Sequence, residues 1–219
     1  MKGLTWFGIA RLGAVQMSLG AIFVLMTSLV NRVIAVELAL PAAFAGALIG
    51  IHYAMQLLRP HFGHGSDSGG RRTPWIIGGM LTLAIGGTLA AVATATMATQ
   101  LIFGLCLAVL AFVLVGAGVG AAGTSLLVLI AAKVEPSRRA AAACITWVMM
   151  IAGFIITTAT VEQTLDPFSL ARMQQLVAMI CAVAFCFSVV AVMGIEQRFE
   201  DIGDNNTDDD ESTSFGVAL

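Results

Sequence analysis

His52, Gln56 and Arg59 form a short polar series in and just after an apolar stretch of the sequence, and their residue types could do chemistry. Steps of four and three residues put these side chains on one face of a helix. A neutral imidazole can ligate a metal through one ring nitrogen while a neighbour holds the other. The competing interpretation, which we favour, is that His52 hydrogen-bonds to another helix, because interhelical polar pairs are common in apolar bundles.

Two polar loops hold most of the other candidates. The first, RPHFGHGSDSGGRRTPW, contains Gly63, Asp67, Gly70, Arg71 and Arg72, and the second, KVEPSRR, contains Glu135, Arg138 and Arg139. Glycines that permit turns and arginines that set membrane orientation explain most of both loops. Neither the turns nor the orientation charges explain the carboxylate of Asp67. We predict that Asp67 latches two helices, either by accepting hydrogen bonds at a helix start or by pairing with Arg138 or Arg139.

The sequence shows no carboxylate pair, nucleophile with a base, or metal-ligand cluster. GVGAAG at 118–123 has the spacing of a dinucleotide loop, but it lies inside a long apolar run instead of between a strand and a helix. We therefore expect no bound nucleotide, no metal ion and no enzymatic activity. Glycines four apart, at Gly116 and Gly120 and again at Gly46 and Gly50, instead predict faces that another helix backbone can approach closely.

The elements that position these residues follow from composition. Hydrophobic residues make up 58% of the 219 residues, charged residues 11%, and the mean hydropathy is +0.93. A membrane span needs about 20 apolar residues. Six runs qualify: about 12–31, 41–58, 75–97, 100–132, 139–160 and 172–194. We predict an all-α integral membrane domain over 1–195, whose first helix stays in the mature protein, and a disordered acidic tail over 196–219.

Charge predicts the orientation of the chain. With the amino terminus inside, nine of the 11 Lys and Arg residues fall in inner segments, which predicts that both termini and the acidic tail are cytoplasmic. The outer rim then holds Asn31, Arg32 and Glu37. Arg32 and Glu37 are five residues apart and share no face of an α-helix, so we expect no direct pair. The surroundings are the lipid bilayer, and we expect no nucleic-acid partner.

Several segments resemble a known family. The stretch from Gly63 to Arg72 resembles the inner-loop signature of the major facilitator superfamily, and EPSRR resembles its companion loop. NRVIAVELALPA at 31–42, HYAMQLLRP at 52–60 and FGHGSDSGGRRTPW at 62–75 together resemble the PucC, or bacteriochlorophyll-delivery, family of that superfamily. The resemblance implies about twelve spans in two halves. Six spans would be one half, a 3+3 inverted repeat, which pairs with a second six-helix half or a second copy.

The resemblance also implies a function beside light-harvesting complexes, in the intracytoplasmic photosynthetic (inner) membrane of a bacterium. The implied partners are antenna subunits or pigment-synthesis proteins, and the implied cofactor is bacteriochlorophyll or a precursor. His52, with Gln56, would then be the candidate ligand of the pigment magnesium, with Gly46 and Gly50 as a flat surface beside it. The alternative is a half-size small-solute transporter of the same superfamily that works as a dimer. Ser68 stands where such transporters carry a basic residue.

Overall fold

The structure, a computed structural model, describes residues 4–61 and 71–195, and every regular element in them is helical. We number six α-helices in chain order. They are α1 Trp6–Val24, α2 Ala42–Met55, α3 Thr73–Met97, α4 Leu101–Lys133, α5 Arg139–Thr164 and α6 Leu170–Val192. Two π-helical segments, Leu25–Val30 and Val33–Glu37, extend α1. Short 3-10 turns follow α2 at Gln56–Leu58 and precede α5 at Pro136–Arg138.

Five of these helices are long and apolar enough to cross a membrane, which confirms the prediction of an all-α membrane protein. The extended first helix, Trp6–Glu37, is 32 residues long, and α4 is 33. The second predicted run is different. Its α-helix has 14 residues, its 3-10 turn adds three, and residues 59–61 are helical again, so the helical run is 42–61. This run is not one of the five that are long and apolar enough to cross a membrane.

Helix ends follow local chemistry. The Thr5 hydroxyl accepts a hydrogen bond from the Gly8 backbone N–H at 3.2 Å and so caps the start of α1. Proline occupies the first turn of α3, at Pro74, where a missing N–H costs nothing. Helix α6 ends where Met193 takes an extended ψ of 131°. Gly194, with φ of +73°, then occupies the turn position that favours glycine, and the Ile195 N–H closes this turn on the Val192 carbonyl at 3.3 Å.

The helices pack in a regular set of pairs. The largest interface joins α3 and α4, followed by α1 with α5, α3 with α6, α1 with α6, and α2 with α4. Suppose that each helix number is increased by three, counting on from α6 to α1. The α1–α5 pair then becomes the α4–α2 pair, and the α3–α4 pair becomes the α6–α1 pair. The α3–α6 pair maps onto itself. The five main helix pairs are therefore consistent with α1–α3 and α4–α6 being equivalent units.

Glycines allow the backbones of paired helices to touch. A Cβ added at Gly79 in α3 would lie 2.5 Å from the Ala122 backbone nitrogen in α4, and one at Gly118 would lie 2.7 Å from the Gly79 carbonyl oxygen. In the α1–α5 pair, a Cβ at Gly20 would lie 2.7 Å from the Met150 carbonyl oxygen. Such approaches maximise van der Waals contact, the main force available between helices in lipid.

The prediction of close approach is correct for Gly116 but wrong for Gly46 and Gly50 within the described residues. A Cβ at Gly116 would lie 2.9 Å from the His52 carbonyl oxygen, so this glycine lets α2 approach α4. No atom lies within 4 Å of a Cβ built at Gly46 or Gly50. The reason is that α2 packs through its opposite face, and its glycines point away from the bundle.

Adjacent glycines provide a test of this packing. We expect Gly79→Ala to lower the free energy of unfolding by about 1–3 kcal/mol, because the new methyl overlaps the α4 backbone. The matched control is Gly78→Ala, since no atom lies within 4 Å of a Cβ at Gly78. That change should be neutral or stabilising by up to about 1 kcal/mol. The measurement is thermal unfolding in detergent, and equal melting temperatures for the two variants would contradict the packing.

Candidate functional site

The buried face of α2 consists of Ala45, Leu48 and His52, which lie at four- and three-residue steps. His52 is only 3% exposed. Its ring centroid lies 5.3 Å from that of Phe23 in α1 and 5.2 Å from that of Tyr53. The imidazole is therefore held among aromatic rings inside the bundle.

A short polar chain links His52 to the surface. The Gln56 Nε2 lies 3.3 Å from the His52 Nε2, and the Arg59 Nε donates to the Gln56 Oε1 at 2.6 Å. An amide NH2 can only donate, so this contact requires Nε2 of His52 to be the acceptor and Nδ1 to carry the proton. Nδ1 is buried and has no hydrogen-bond partner among the described residues. The series read from the sequence is thus contiguous in space, and it lies within one helix.

The flat surface predicted beside His52 lies elsewhere. Gly46 and Gly50 are exposed, and both lie on the face of α2 opposite His52. That expectation was wrong because it took the small residues and the histidine to share a face. At about 100° per residue, Gly50 is turned by roughly 160° and Gly46 by roughly 120° from His52 around the helix. A ligand of His52 would have to replace the Gln56 N–H at Nε2, the only ring nitrogen without a proton.

At the end of the bundle that carries most of the basic residues, hereafter the basic end, Arg11 joins α1 to α6. Its guanidinium donates to the carbonyl oxygens of Ala191 at 3.0 Å, Val190 at 3.4 Å, and Met193. These carbonyls belong to the end of α6, where acceptors lack intrahelical donors and the helix dipole is negative. From the sequence, the predicted role of Arg11 was only that of an orientation charge. Its position near the start of an apolar helix was the available signal, but its partners lie about 180 residues away.

The companion loop also contacts the first helix. The Arg138 guanidinium carbon lies 4.0 Å from the centroid of the Trp6 ring, a cation–π contact. The Nε and Nη2 of Arg138 are buried and have no hydrogen-bond partner in the described part of the chain. The Arg139 Nε donates to the Val134 carbonyl at 3.1 Å, and Glu135 is exposed before the 3-10 turn. The Leu4 N–H donates to the Lys133 carbonyl at 2.9 Å. The loop is therefore joined to the start of the chain by Arg138 and by this backbone bond.

The first polar loop is only partly described. Arg71 and Arg72 lie at the start of α3, where Arg72 is the N-cap. Gly63, Asp67 and Gly70 lie outside the described residues. The predicted contact between Asp67 and the companion loop therefore stays a prediction.

The far end of the first helix is π-helical, whereas an α-helix was expected there. Asn31 and Arg32 lie between the two π segments, and Glu37 ends the second. The Leu38 N–H donates to the Val33 carbonyl at 3.0 Å, an i to i+5 bond, which is the π-helical pattern and brings residues five apart closer together. The structure gives no ion pair between Arg32 and Glu37.

Together these features describe an all-helical, multi-pass membrane protein with a basic end. Within 4–61 and 71–195, no three His, Cys, Asp or Glu side chains are grouped as metal ligands. The family model described as PUCC protein matches residues 29–217, and the chain belongs to this family.

Similar proteins are found in three species. The chain is 49% identical over 197 residues to the "Bacteriochlorophyll synthase 44.5 kDa chain" of Rhodobacter capsulatus, which covers 90% of this chain and 46% of that protein. It is 27% identical over 200 residues to "Protein PucC" of Cereibacter sphaeroides, 86% of this chain and 44% of the relative. "Protein PucC" of Rhodovulum sulfidophilum is 29% identical over 202 residues, with the same shares. The chain thus spans less than half the length of these relatives. No solved structure matches it.

Two substitutions of Arg11 test its contact with α6, one that keeps the charge and one that removes it. Arg11→Lys keeps the positive charge at the basic end, but an ammonium has no planar fork to reach three carbonyls. We expect Arg11→Gln to lower stability by about 1.5–3 kcal/mol and Arg11→Lys to lower it by part of that amount. Arg172→Gln is the matched control, because Arg172 donates to the Asp166 and Pro167 carbonyls of a loop. Unfolding in detergent provides the measurement, and an Arg11→Gln variant as stable as the parent would refute the role.

Proposed function

We propose that the chain is a non-enzymatic membrane factor that supports the assembly of light-harvesting complexes or the delivery of bacteriochlorophyll. The observation that carries this proposal is the 49% identity, over 90% of the chain, to a relative named for bacteriochlorophyll synthesis. Membership of the PUCC protein family supports it. The proposed location is the bacterial inner, photosynthetic membrane, and the proposed partners are antenna subunits or pigment-synthesis proteins.

The proposed architecture is one half of a major-facilitator-type fold, with α1–α3 and α4–α6 as the two units of an inverted repeat. The pairing of helices supports this, since a repeat of three helices makes the main pairs interchange when three is added to each helix number. In this arrangement α2 crosses the membrane despite its length, and both termini are cytoplasmic. The positive-inside distribution of basic residues supports that orientation.

A six-helix half needs a partner, and we propose a second six-helix half or a second copy. The best-placed surface is formed by α2 and α5, which the repeat interchanges. In the apolar 18-residue stretch by which α5 could cross the membrane, only 22% is buried within the chain. On α2, Tyr53 is 57% and Leu57 80% exposed. Apolar side chains on both helices are thus available for contact with another helical unit.

His52 is the proposed contact for the pigment. Nε2 is the nitrogen that can accept, and a magnesium ion at the centre of a bacteriochlorophyll needs one such axial ligand. The ligand would take the place of the Gln56 N–H, and Arg59 would keep Gln56 oriented through the bond to Oε1. The competing role for His52 is a hydrogen bond to another helix, but among the described residues its hydrogen-bond contact is with Gln56 of its own helical run. Its contact with α1 is the ring packing against Phe23.

A second candidate is a half-size small-solute transporter that acts as a dimer. The same pairing of helices favours it, because inverted repeats are common in transporters. Against it, the middles of the described helices carry no Asp, Glu, Lys or Arg, the residue types that usually mark an ion or substrate path. Pigment that copurifies with the protein would favour the first proposal over this one.

Deletion and a histidine variant test the pigment function. A strain without the protein should have less antenna complex, measured by near-infrared absorbance of membranes, and the parent gene should restore it. Purified His52→Leu should lose bound bacteriochlorophyll, because the axial nitrogen is gone. Phe44→Leu is the matched control, since Phe44 is an exposed aromatic of the same helix, eight residues from His52. Normal antenna levels in the deletion strain would refute the function, and full pigment occupancy in His52→Leu would refute the ligand role.

If Asp67 holds two helices together by pairing with Arg138, substitutions of the two residues should have linked effects on association. Asp67→Asn should weaken association between halves or copies by about 1.5–3 kcal/mol, because a charge-assisted hydrogen bond is lost, and should leave the fold intact. Arg138→Gln should cost more than Asp67→Asn, because it also removes the contact with Trp6, and the double variant should cost no more than Arg138→Gln alone. Association is measured as complex recovery at increasing dilution. Strictly additive effects would exclude a direct pair.

A further inference from the structure

Two cavities lie along α1 and meet at one residue. The first, of about 430 Å³, lies at the far end of α1, between the π segment Leu25–Val30 and the end of α5 with the loop that follows. The second, of about 310 Å³, lies nearer the middle of the bundle, between α1, α5 and α6. Thr157 of α5 lines both cavities. They therefore form one track along the α1–α5 pair.

The two ends of the track differ in chemistry. The far cavity is lined by a guanidinium and two carboxylates, those of Arg32, Glu162 and Asp166. No ion pair among the described residues joins Arg32 to either carboxylate, and all three residues are exposed. Arg172 lies beside Asp166, but its guanidinium donates to the Asp166 and Pro167 backbone carbonyls. The three charged side chains are therefore available to a ligand. The middle cavity is lined mostly by apolar side chains, such as Met17, Ile156 and Val183. A charged rim above an apolar groove matches a molecule with a polar head and an apolar chain.

The size and position of the track fit one lipid chain. It runs along α1 from Met17 to Arg32, fifteen residues, or roughly 22 Å at 1.5 Å per residue. The groove exists because α5 and α6 share only a small interface and α1 forms its floor. Ile156 and Val183 at its edges are 57% and 63% exposed, so the groove opens to the side, towards lipid. A chain can enter from the bilayer without passing through the bundle.

The geometry points to a binding site for a zwitterionic membrane lipid, which we propose as a function separate from the pigment role. One acyl chain lies in the middle cavity and the headgroup in the far cavity. Arg32 binds the phosphate through charge-assisted hydrogen bonds, and Glu162 and Asp166 bind the ammonium. Charge decides the class of headgroup. A purely anionic head would meet two carboxylates, and a purely cationic head would leave Arg32 unpaired.

The π-helical winding supports a binding role for this part of α1. The segment Leu25–Val30 contributes Leu25, Ser28 and Leu29 to the wall of the far cavity. π-Helical turns are rare, and they occur frequently at functional sites. The site therefore combines an uncommon backbone conformation with unpaired charges of both signs.

The test compares three headgroups on one chain. Purified protein in lauryl maltoside is titrated with palmitoyl lysophosphatidylethanolamine, palmitoyl lysophosphatidylglycerol and palmitoylcholine, and binding is measured by native mass spectrometry. We expect the zwitterionic probe to bind roughly tenfold more tightly than the other two, a difference of about 1.4 kcal/mol. Arg32→Gln and Glu162→Gln should each remove this preference. Glu37→Gln, a change of the same charge at the same end but outside the cavity, should keep it.

Two matched variants of α6 test the part of the site that binds the acyl chain. Val183→Trp should fill the groove and weaken all three probes about equally, whereas Val190→Trp should not. Both valines are in α6 and strongly exposed, at 63% and 68%, and only Val183 lines the cavity. Equal affinity for the three headgroups, or equal effects of the two tryptophans, would overturn the assignment. Bacteriochlorophyll that displaces the zwitterionic probe and binds more tightly than it would also overturn it, and would give the site to the pigment.

Discussion

Direct contact between helix backbones is the constraint on which this structure depends. In lipid, burial of an apolar side chain between helices gains little over its contact with acyl chains, so van der Waals packing must hold the helices together. Gly79 and Gly118 bring α3 and α4 into backbone contact, and Gly20 does the same for α1 and α5. These two interfaces are the largest in the bundle. The remaining helices are arranged around them.

The periphery follows from that constraint. Helix α2 touches the bundle through the face of Ala45, Leu48 and His52, and α5 is committed to α1. Each of these two helices therefore leaves an apolar face exposed, and α5 leaves a groove against α6. Two polar contacts between helices lie at the basic end: Arg11 on the carbonyls of α6 and Arg138 on Trp6. Charges at the ends stay near water, which keeps the cost of desolvation low.

The sequence was sufficient for the helical class, the membrane setting and the family, because apolar runs and the loop segments are local signals. It could not show which face of α2 is buried, so Gly46 and Gly50 were assigned to a contact they do not make. The stripe of His52, Gln56 and Arg59 was visible because it lies within one helix. The contact of Arg11 joins residues about 180 apart, and the π winding beyond Val24 depends on backbone packing, so neither has a signature in composition or spacing.

The central claim is that the short helix α2 crosses the membrane and completes a six-helix half with both termini on the basic, cytoplasmic side. The number of crossings has a direct readout, because adding or removing one span moves every later segment to the other side. The most direct measurement uses paired cytoplasmic and periplasmic reporter fusions after Arg72, after Arg139 and after Ile195. Six spans predict cytoplasmic signals at all three sites. With five spans and a cytoplasmic amino terminus, all three fusions would be periplasmic, and that result would contradict the account.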